Sequence, residues 1–140
     1  MWTDAKGSTV LPAPECKRLL AVAAKEGGIG RLGIATDRAP IVIPVNFTLH
    51  DGRVLTRVGP GYFSQAAAGH LVAFECDEVD SENGTAWSVL LRGLATVIES
   101  PTEVELAVAA RPLVPEPANM VMVIRPDILT GRRFEIRQPG

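Results

Sequence analysis

With 140 residues, 46% of them hydrophobic, and a positive mean hydropathy, the chain can build one folded core but hardly two. That composition excludes a disordered polymer. A formal net charge of −2 gives no long-range pull toward nucleic acid or anionic lipid, and the few aromatics are not interleaved with basic runs. No apolar run approaches the roughly 20 residues that a membrane-spanning helix needs. Residues 1–6 lack the apolar core of a signal peptide, so the expected location is the cytoplasm.

Residues 1–11 read as a loose, flexible leader and residues 12–140 as a single domain. Pro12 and Pro14 sit where a helix can begin, and Glu15 suits the positive end of its dipole. Leu19, Leu20, Val22 and Ala23 give that helix an apolar stripe, and Gly27-Gly28 stops it. Residues 29–36 are an expected strand, turned by Asp37-Arg38-Ala39.

Residues 41–57 predict a β-hairpin. Ile41, Ile43, Val45, Phe47 and Leu49 alternate on one side with the period of two that marks a half-buried strand. Asp51-Gly52 supplies the turn, because a type I′ turn needs positive φ at both central residues. This register sets His50 against Arg53 and, counting back, Asn46 against Arg57, both pointing away from the Phe47 side. Asn is depleted in strands. An amide beside a guanidinium there points to a polar, anionic ligand; a local bulge at Asn46 and a solvent-facing Arg57 are the plain alternatives.

Gly59-Pro60-Gly61 ends that hairpin, and residues 62–68 form a short helix closed by Gly69. Residues 71–76 are the next strand. Asp77, Glu78, Asp80 and Glu82 read as an acidic loop closed by Asn83-Gly84, without the spacing or terminal Glu of a calcium loop. Residues 85–99 make a long strand with Trp87, Val89, Leu91, Ala95 and Val97 on one face, and Gly93 marks a bulge or bend. Ser100-Pro101-Thr102-Glu103 reads as a capping box opening a helix to about residue 110. A Pro-rich loop over 111–119 precedes the last two strands, 120–125 and 132–136, which Pro126-Asp127 and a Thr130-Gly131 turn separate. Arg125, Arg132, Arg133 and Arg137 give that edge positive charge; adjacent Arg132 and Arg133 must point to opposite faces.

The sum is mainly β: six or seven antiparallel strands in a barrel with three peripheral helices. There is no βαβ rhythm, no Gly-rich dinucleotide fingerprint and no internal repeat. Cys16 and Cys76 have no ligands at metal spacing and read as buried thiols. His50 and His70, at a turn and a strand start, support no hydrolase triad. Glu75 and Asp77 lead into an acidic turn and are not expected to act as a catalytic pair.

In order and spacing, several segments resemble the pyridoxamine 5′-phosphate oxidase-like proteins, the FMN-binding split β-barrels, and most of all their short actinobacterial-type branch. The matching pieces are Glu15-Cys16 with Leu19-Leu20, Gly30-Arg31-Leu32, Pro44-Val45-Asn46-Phe47, Asp51-Gly52-Arg53 and Thr56-Arg57. Further on come Val72-Ala73-Phe74-Glu75, Trp87-Ser88-Val89, Arg92-Gly93 and Thr130-Gly131-Arg132-Arg133. The resemblance implies an oxidoreductase that is a homodimer, with FMN in two equivalent grooves at the subunit interface. Val45, Asn46 and Phe47 would run beside the isoalloxazine ring and Arg57 would approach the ribityl phosphate. Trp87 and Ser88 would line the groove, from the same subunit or from its partner, and Arg132 would reach the ring or the phosphate.

One departure matters. Where that branch commonly reads Gly-Thr-Lys-Leu, with Thr and Lys on the phosphate, this chain reads Gly61-Tyr62-Phe63-Ser64. A hydrogen bond to a charged group contributes roughly 1.5–3 kcal/mol. Its loss corresponds to a ten- to hundredfold weaker FMN affinity, which Tyr62 or Ser64 would partly restore. The deazaflavin F420 is the alternative cofactor, and a non-catalytic dimer binding a small ligand is the alternative function.

Overall fold

The computed structural model describes residues 2–3, 8–109 and 119–136. The chain opens with β1 (Trp2–Thr3) and β2 (Ser8–Leu11), then α1 (Ala13–Lys25). Next come β3 (Ile29–Ile34), β4 (Ile41–Asn46), β5 (Thr48–His50) and β6 (Arg53–Val58). After α2 (Tyr62–Ala67) follow the two long strands β7 (Leu71–Asp80) and β8 (Thr85–Ile98). The chain continues through α3 (Glu103–Val108) to β9 (Met120–Ile124) and β10 (Ile128–Glu135). All pairings are antiparallel.

Two sheets share β8. The first runs in the order β1-β2-β10-β8-β7-β3-β4, and the second joins β5, β6, β9 and β8. Two chain paths pass from one sheet to the other. β4 ends at Asn46 and β5 starts at Thr48, so the path breaks only at Phe47. β9 and β10 lie along β8 in sequence, broken at Arg125–Asp127, where Arg125 N–H donates to the Leu94 carbonyl and Asp127 N–H to that of Arg92. Counting each broken path as one stave, six staves close the barrel, and β2 with β1 extends its edge beyond β10. The expected split barrel of six or seven strands is therefore present.

Inside lie Phe74, Leu32, Leu91, Ile34, Val89 and Met122, all fully buried. Phe47 packs edge-on against Phe74 with ring centroids 4.8 Å apart. Cys16, Leu19, Leu20 and Ala23 are the buried stripe of α1, which closes the interior against β5, β8 and β10, while Val22 is exposed. Gly131 lets α1 approach, since a Cβ there would stand 2.6 Å from Cys16 Sγ. Both thiols are buried, and burial pushes Cys76 up to about 12. A second, smaller core of Leu55, Val121 and Ala109 fills the space between α3 and the outer side of the second sheet.

Five expectations need correction. Thr130-Gly131 is not a turn: both residues lie inside β10, paired with Leu90 and Val89, and the break before that strand is at Arg125–Asp127 alone. Ser8–Leu11 is no leader but a strand on β10, pairing Leu11 with Gly131 and Ser8 with Phe134. The acidic residues Asp77, Glu78 and Asp80 belong to β7, and the turn occupies the next four residues. The capping box is Thr102 with Glu105, not Ser100 with Glu103: Thr102 Oγ1 accepts from Glu105 N–H at 3.1 Å, and Glu105 Oε1 accepts from Thr102 N–H at 3.0 Å. Pro101 precedes that cap, so it cannot be the first helical residue. Residues 41–57 are not one hairpin, because β4 pairs with β3 and only β5 pairs with β6. The proline-rich loop and Arg137 fall on residues 110–118 and 137–140, outside the described residues.

The expected bend at Gly93 has a steric cause. A Cβ on Gly93 would lie 1.6 Å from the Arg125 carbonyl oxygen, a backbone atom that cannot rotate away. Gly93→Ala should destabilise the protein by at least about 2–3 kcal/mol in urea unfolding. Gly33→Ala, whose added carbon would meet nothing closer than 3.7 Å, should stay within about 1 kcal/mol of the parent.

Candidate functional site

The outer face of the first sheet is the place where several site candidates meet. Along β8 the odd residues from Trp87 to Ala95 face the interior, so Ser88, Leu90 and Arg92 face outward. Ser88 stands opposite Asp77 on β7 and Arg132 on β10. At the other edge Asn46 stands opposite Ile29, and the β3–β7 register brings Ile29 level with Asp77. Asn46, Ser88 and Arg132 thus lie in one row across the sheet. Strand spacing puts Asn46 about 14 Å from Ser88, and Arg132 about 5 Å further on. Arg132 Nη1 donates to Ser8 Oγ at 2.9 Å.

No described helix covers this face: α1 packs on β5, β8 and β10 from the inner side, α2 meets β8 with Ala67 in the interior core, and α3 lies on β9. It exposes Leu71 at 70%, Val79 at 68% and Val42 at 63%, with Ile29, Leu90, Ile128 and Phe134 also exposed. A groove of about 470 Å³ crosses it, floored by Gly33 and Ala73, with Arg92 and Asp127 at one side.

The remaining candidates lie elsewhere. Val45 and Phe47 point into the barrel and are buried. Asn46 and Arg57 do not pair, since the β5–β6 ladder ends at Thr48 and Leu55. Instead Thr56 Oγ1 donates to the Asn46 carbonyl at 2.6 Å, stitching the two sheets where the chain changes between them. Arg57 leaves the second sheet on its outer side, where its Nε and Nη2 donate to the Leu106 carbonyl at 3.0 and 2.6 Å. Thr48 Oγ1 donates to the Val108 carbonyl at 2.6 Å. The last carbonyls of a helix have no partner within it. Arg57 and Thr48 supply partners for α3, and the cation also suits the negative end of the helix.

Tyr62 is 63% exposed at the start of α2. Ser64 is buried and its hydroxyl donates to the Gly59 carbonyl, closing the turn before α2. Trp87 and Ser88 cannot line one groove of a protomer, because neighbours on a strand point to opposite faces. Trp87 lies on the inner side between Glu78 and Arg133, in a depression of about 370 Å³. Arg133 pairs with Glu15 at 3.6 Å, so Arg132 and Arg133 do take opposite faces. His50 and His70 are exposed.

Sequence reasoning missed one cluster. Arg31 Nη1 bonds Glu75 at 2.9 Å and Asp77 at 2.7 Å on the outer face. Burial, followed by the Asp77 carboxyl, pushes Glu75 up to about 7 against the pull of Arg31. The one available signal was the spacing of Glu75 and Asp77, which puts both on one side of a strand. No group of His, Cys, Asp and Glu among the described residues could hold a metal ion. No described helix is long and apolar enough to cross a membrane.

A family model described as pyridoxamine 5′-phosphate oxidase matches residues 12–133. The chain belongs to that family. An uncharacterized protein of Mycobacterium tuberculosis is 36% identical to this family member over 112 residues, 75% of this chain and 74% of its own. The structure of an FAD-binding protein from Mycobacterium smegmatis matches with a TM-score of 0.70 at 34% identity, covering 90% of this chain and 99% of that one. A Corynebacterium glutamicum structure assigned to the pyridoxamine 5′-phosphate oxidases gives 0.75 at 26% identity, over 98% and 100% of the two chains. The family assignment agrees with the resemblance seen in the sequence.

In this family member the Arg57 fork carries a structural load of its own. Arg57→Met should lower stability by about 1.5–3 kcal/mol in urea unfolding, because it removes a charged donor pair from a helix end. An unchanged unfolding midpoint would show that the α3 contact contributes nothing.

Proposed function

We propose that this protein binds a flavin nucleotide between two copies of itself and acts as an oxidoreductase. The observation that carries the proposal is the 34% identity, over nearly the whole of both chains, to a protein described as FAD-binding. The outer sheet face supports it with an amide, a hydroxyl and a guanidinium in one row, set among apolar side chains. Within one protomer that row is too long for a single ring system. A second copy laid over the face would bring the Asn46 edge of one toward Ser88 and Arg132 of the other.

The chain fits a flavin ring better than it fits a phosphate near α2. Arg57 is held by α3 and Ser64 by Gly59; Tyr62 offers a phenol where a Thr is usual in related sequences, and Phe63, packed against the core, stands in place of their Lys. Arg132 is the cation best placed to meet the anionic end. FMN remains the form implied by the sequence resemblance. FAD is the form bound by the Mycobacterium smegmatis relative, and its longer nucleotide adds contacts that do not depend on a phosphate anchor. Bound flavin supplies the redox chemistry, while the chain binds, orients and excludes water. That division of labour suits a site without a Ser-His-Asp set or a metal cluster among the described residues.

Titrating the protein with FMN, FAD and F420, by flavin fluorescence and thermal shift, tests the proposal and ranks the cofactors. At least one flavin should raise the melting temperature, and Arg132→Gln should weaken it about ten- to a hundredfold. Indifference to all three would sink the proposal. Steady NADPH oxidation by the loaded protein would separate an oxidoreductase from a passive carrier.

A further inference from the structure

The outer face also carries a cluster of charges, one member of which, Asp77, stands between Asn46 and Ser88 in the row. Arg31 on β3 holds Glu75 and Asp77 of β7 at 2.9 and 2.7 Å, one guanidinium serving two carboxyl groups. The surroundings are apolar: Leu90 lies opposite Glu75, Pro44 opposite Arg31, and Ala73 and Gly33 form the floor beside them. The other charges here are Arg92 on β8, opposite Ala73, Asp127 beside it in the groove, and Arg132 on β10, opposite Ser88. β4 and β2 add none, presenting Val42, Pro44 and Asn46, and Ser8 and Val10. Arg92 makes no ion pair among the described residues and stands one strand away from Glu75.

The place of the cluster gives it meaning. Glu75 and Asp77 lie on β7, which with β8 is the middle pair of β4-β3-β7-β8-β10-β2, and Arg31 lies on the adjoining β3; the two-residue β1 continues the sheet beyond β2. In a two-fold dimer, residues near the axis meet their own copies. A second copy on this face therefore sets one cluster close to the other, each with a carboxylate in excess. Excluding water strengthens that repulsion and adds a desolvation cost. A proton on Glu75 removes both.

Building on the homodimer proposed above, we infer that the Glu75–Asp77–Arg31 cluster is a proton-binding site in the interface between copies. Pairing through this face takes up protons at Glu75 and is tightest on the acid side of neutrality. Glu75 in the single chain already stands at about 7, from burial first and Asp77 second. Covering it raises it further, so above that pH the dimer holds more protons than two separate chains. Association then weakens by up to about tenfold per pH unit for each proton taken up, and about a hundredfold when both subunits take one. Well below that pH Glu75 is protonated in both states, and the dependence disappears.

Sedimentation equilibrium of the full chain without added flavin, from about pH 5.5 to about 8.5, tests this inference. The dimer constant should be flat on the acid side and fall at least tenfold per unit above neutrality. Glu75→Gln should keep a dimer whose constant is flat throughout. Asp77→Asn, which removes the neighbouring charge, should flatten it too and serves if the first variant does not fold. A wild-type dimer indifferent to pH, or a slope that survives both substitutions, overturns the inference and leaves the homodimer standing. A monomer at every pH overturns the homodimer, and this inference with it.

Discussion

The architecture hangs on a close approach between two stretches of main chain. Gly93 in β8 faces the carbonyl of Arg125, at a distance where no side chain fits. On either side of that point β8 keeps its ladder, with β9 beyond Leu94 and with β10 before Arg92. Pro126 has no N–H to give, so the break between those partners falls where the ladder can best lose a bond. β8 can then belong to both sheets and the barrel can turn its corner. The opposite corner is Phe47, wedged on Phe74, whose ring lies where a Cβ of Gly30 would be. Thr56 bonding the Asn46 carbonyl holds the seam.

Local signals in the sequence were readable because their physics is local. Asp51-Gly52 takes positive φ at both residues, and the glycine pair after α1 stops it as expected. The alternation from Ile41 to Leu49 was legible too, yet it hid a change of partner at Phe47. Periodicity reports which way side chains point and is blind to which strand lies alongside. The same blindness covers β2, four residues whose partners on β10 are more than a hundred positions away. It also covers the Arg31 cluster, whose members become neighbours only through the β3–β7 register.

The polar candidates divide for a related reason. Arg57, Thr48 and Ser64 are the kinds of residue that bind anions and also the kinds that satisfy carbonyls at helix ends and turns. The structure spends all three on its own backbone. Asn46, Ser88 and Arg132 project from the side of a sheet that no described helix covers, where Arg132 also bonds the Ser8 hydroxyl. Trp87 looked like a companion to Ser88 and is separated from it by the pleat. The family tie fixes the scaffold, and the face left bare by the helices indicates where its chemistry is to be sought.

The cross-strand row has one more consequence. Each of its members comes from a different strand, so no single segment contains the site. Sliding any one strand by a residue would turn its contribution to the other side of the sheet. The constellation is thus an outcome of correct strand alignment, and it exists only once β4, β3, β7, β8 and β10 have all locked. Such a site cannot be carried off as a short peptide or grafted by a loop swap. A misaligned barrel could stay compact and yet lack the row.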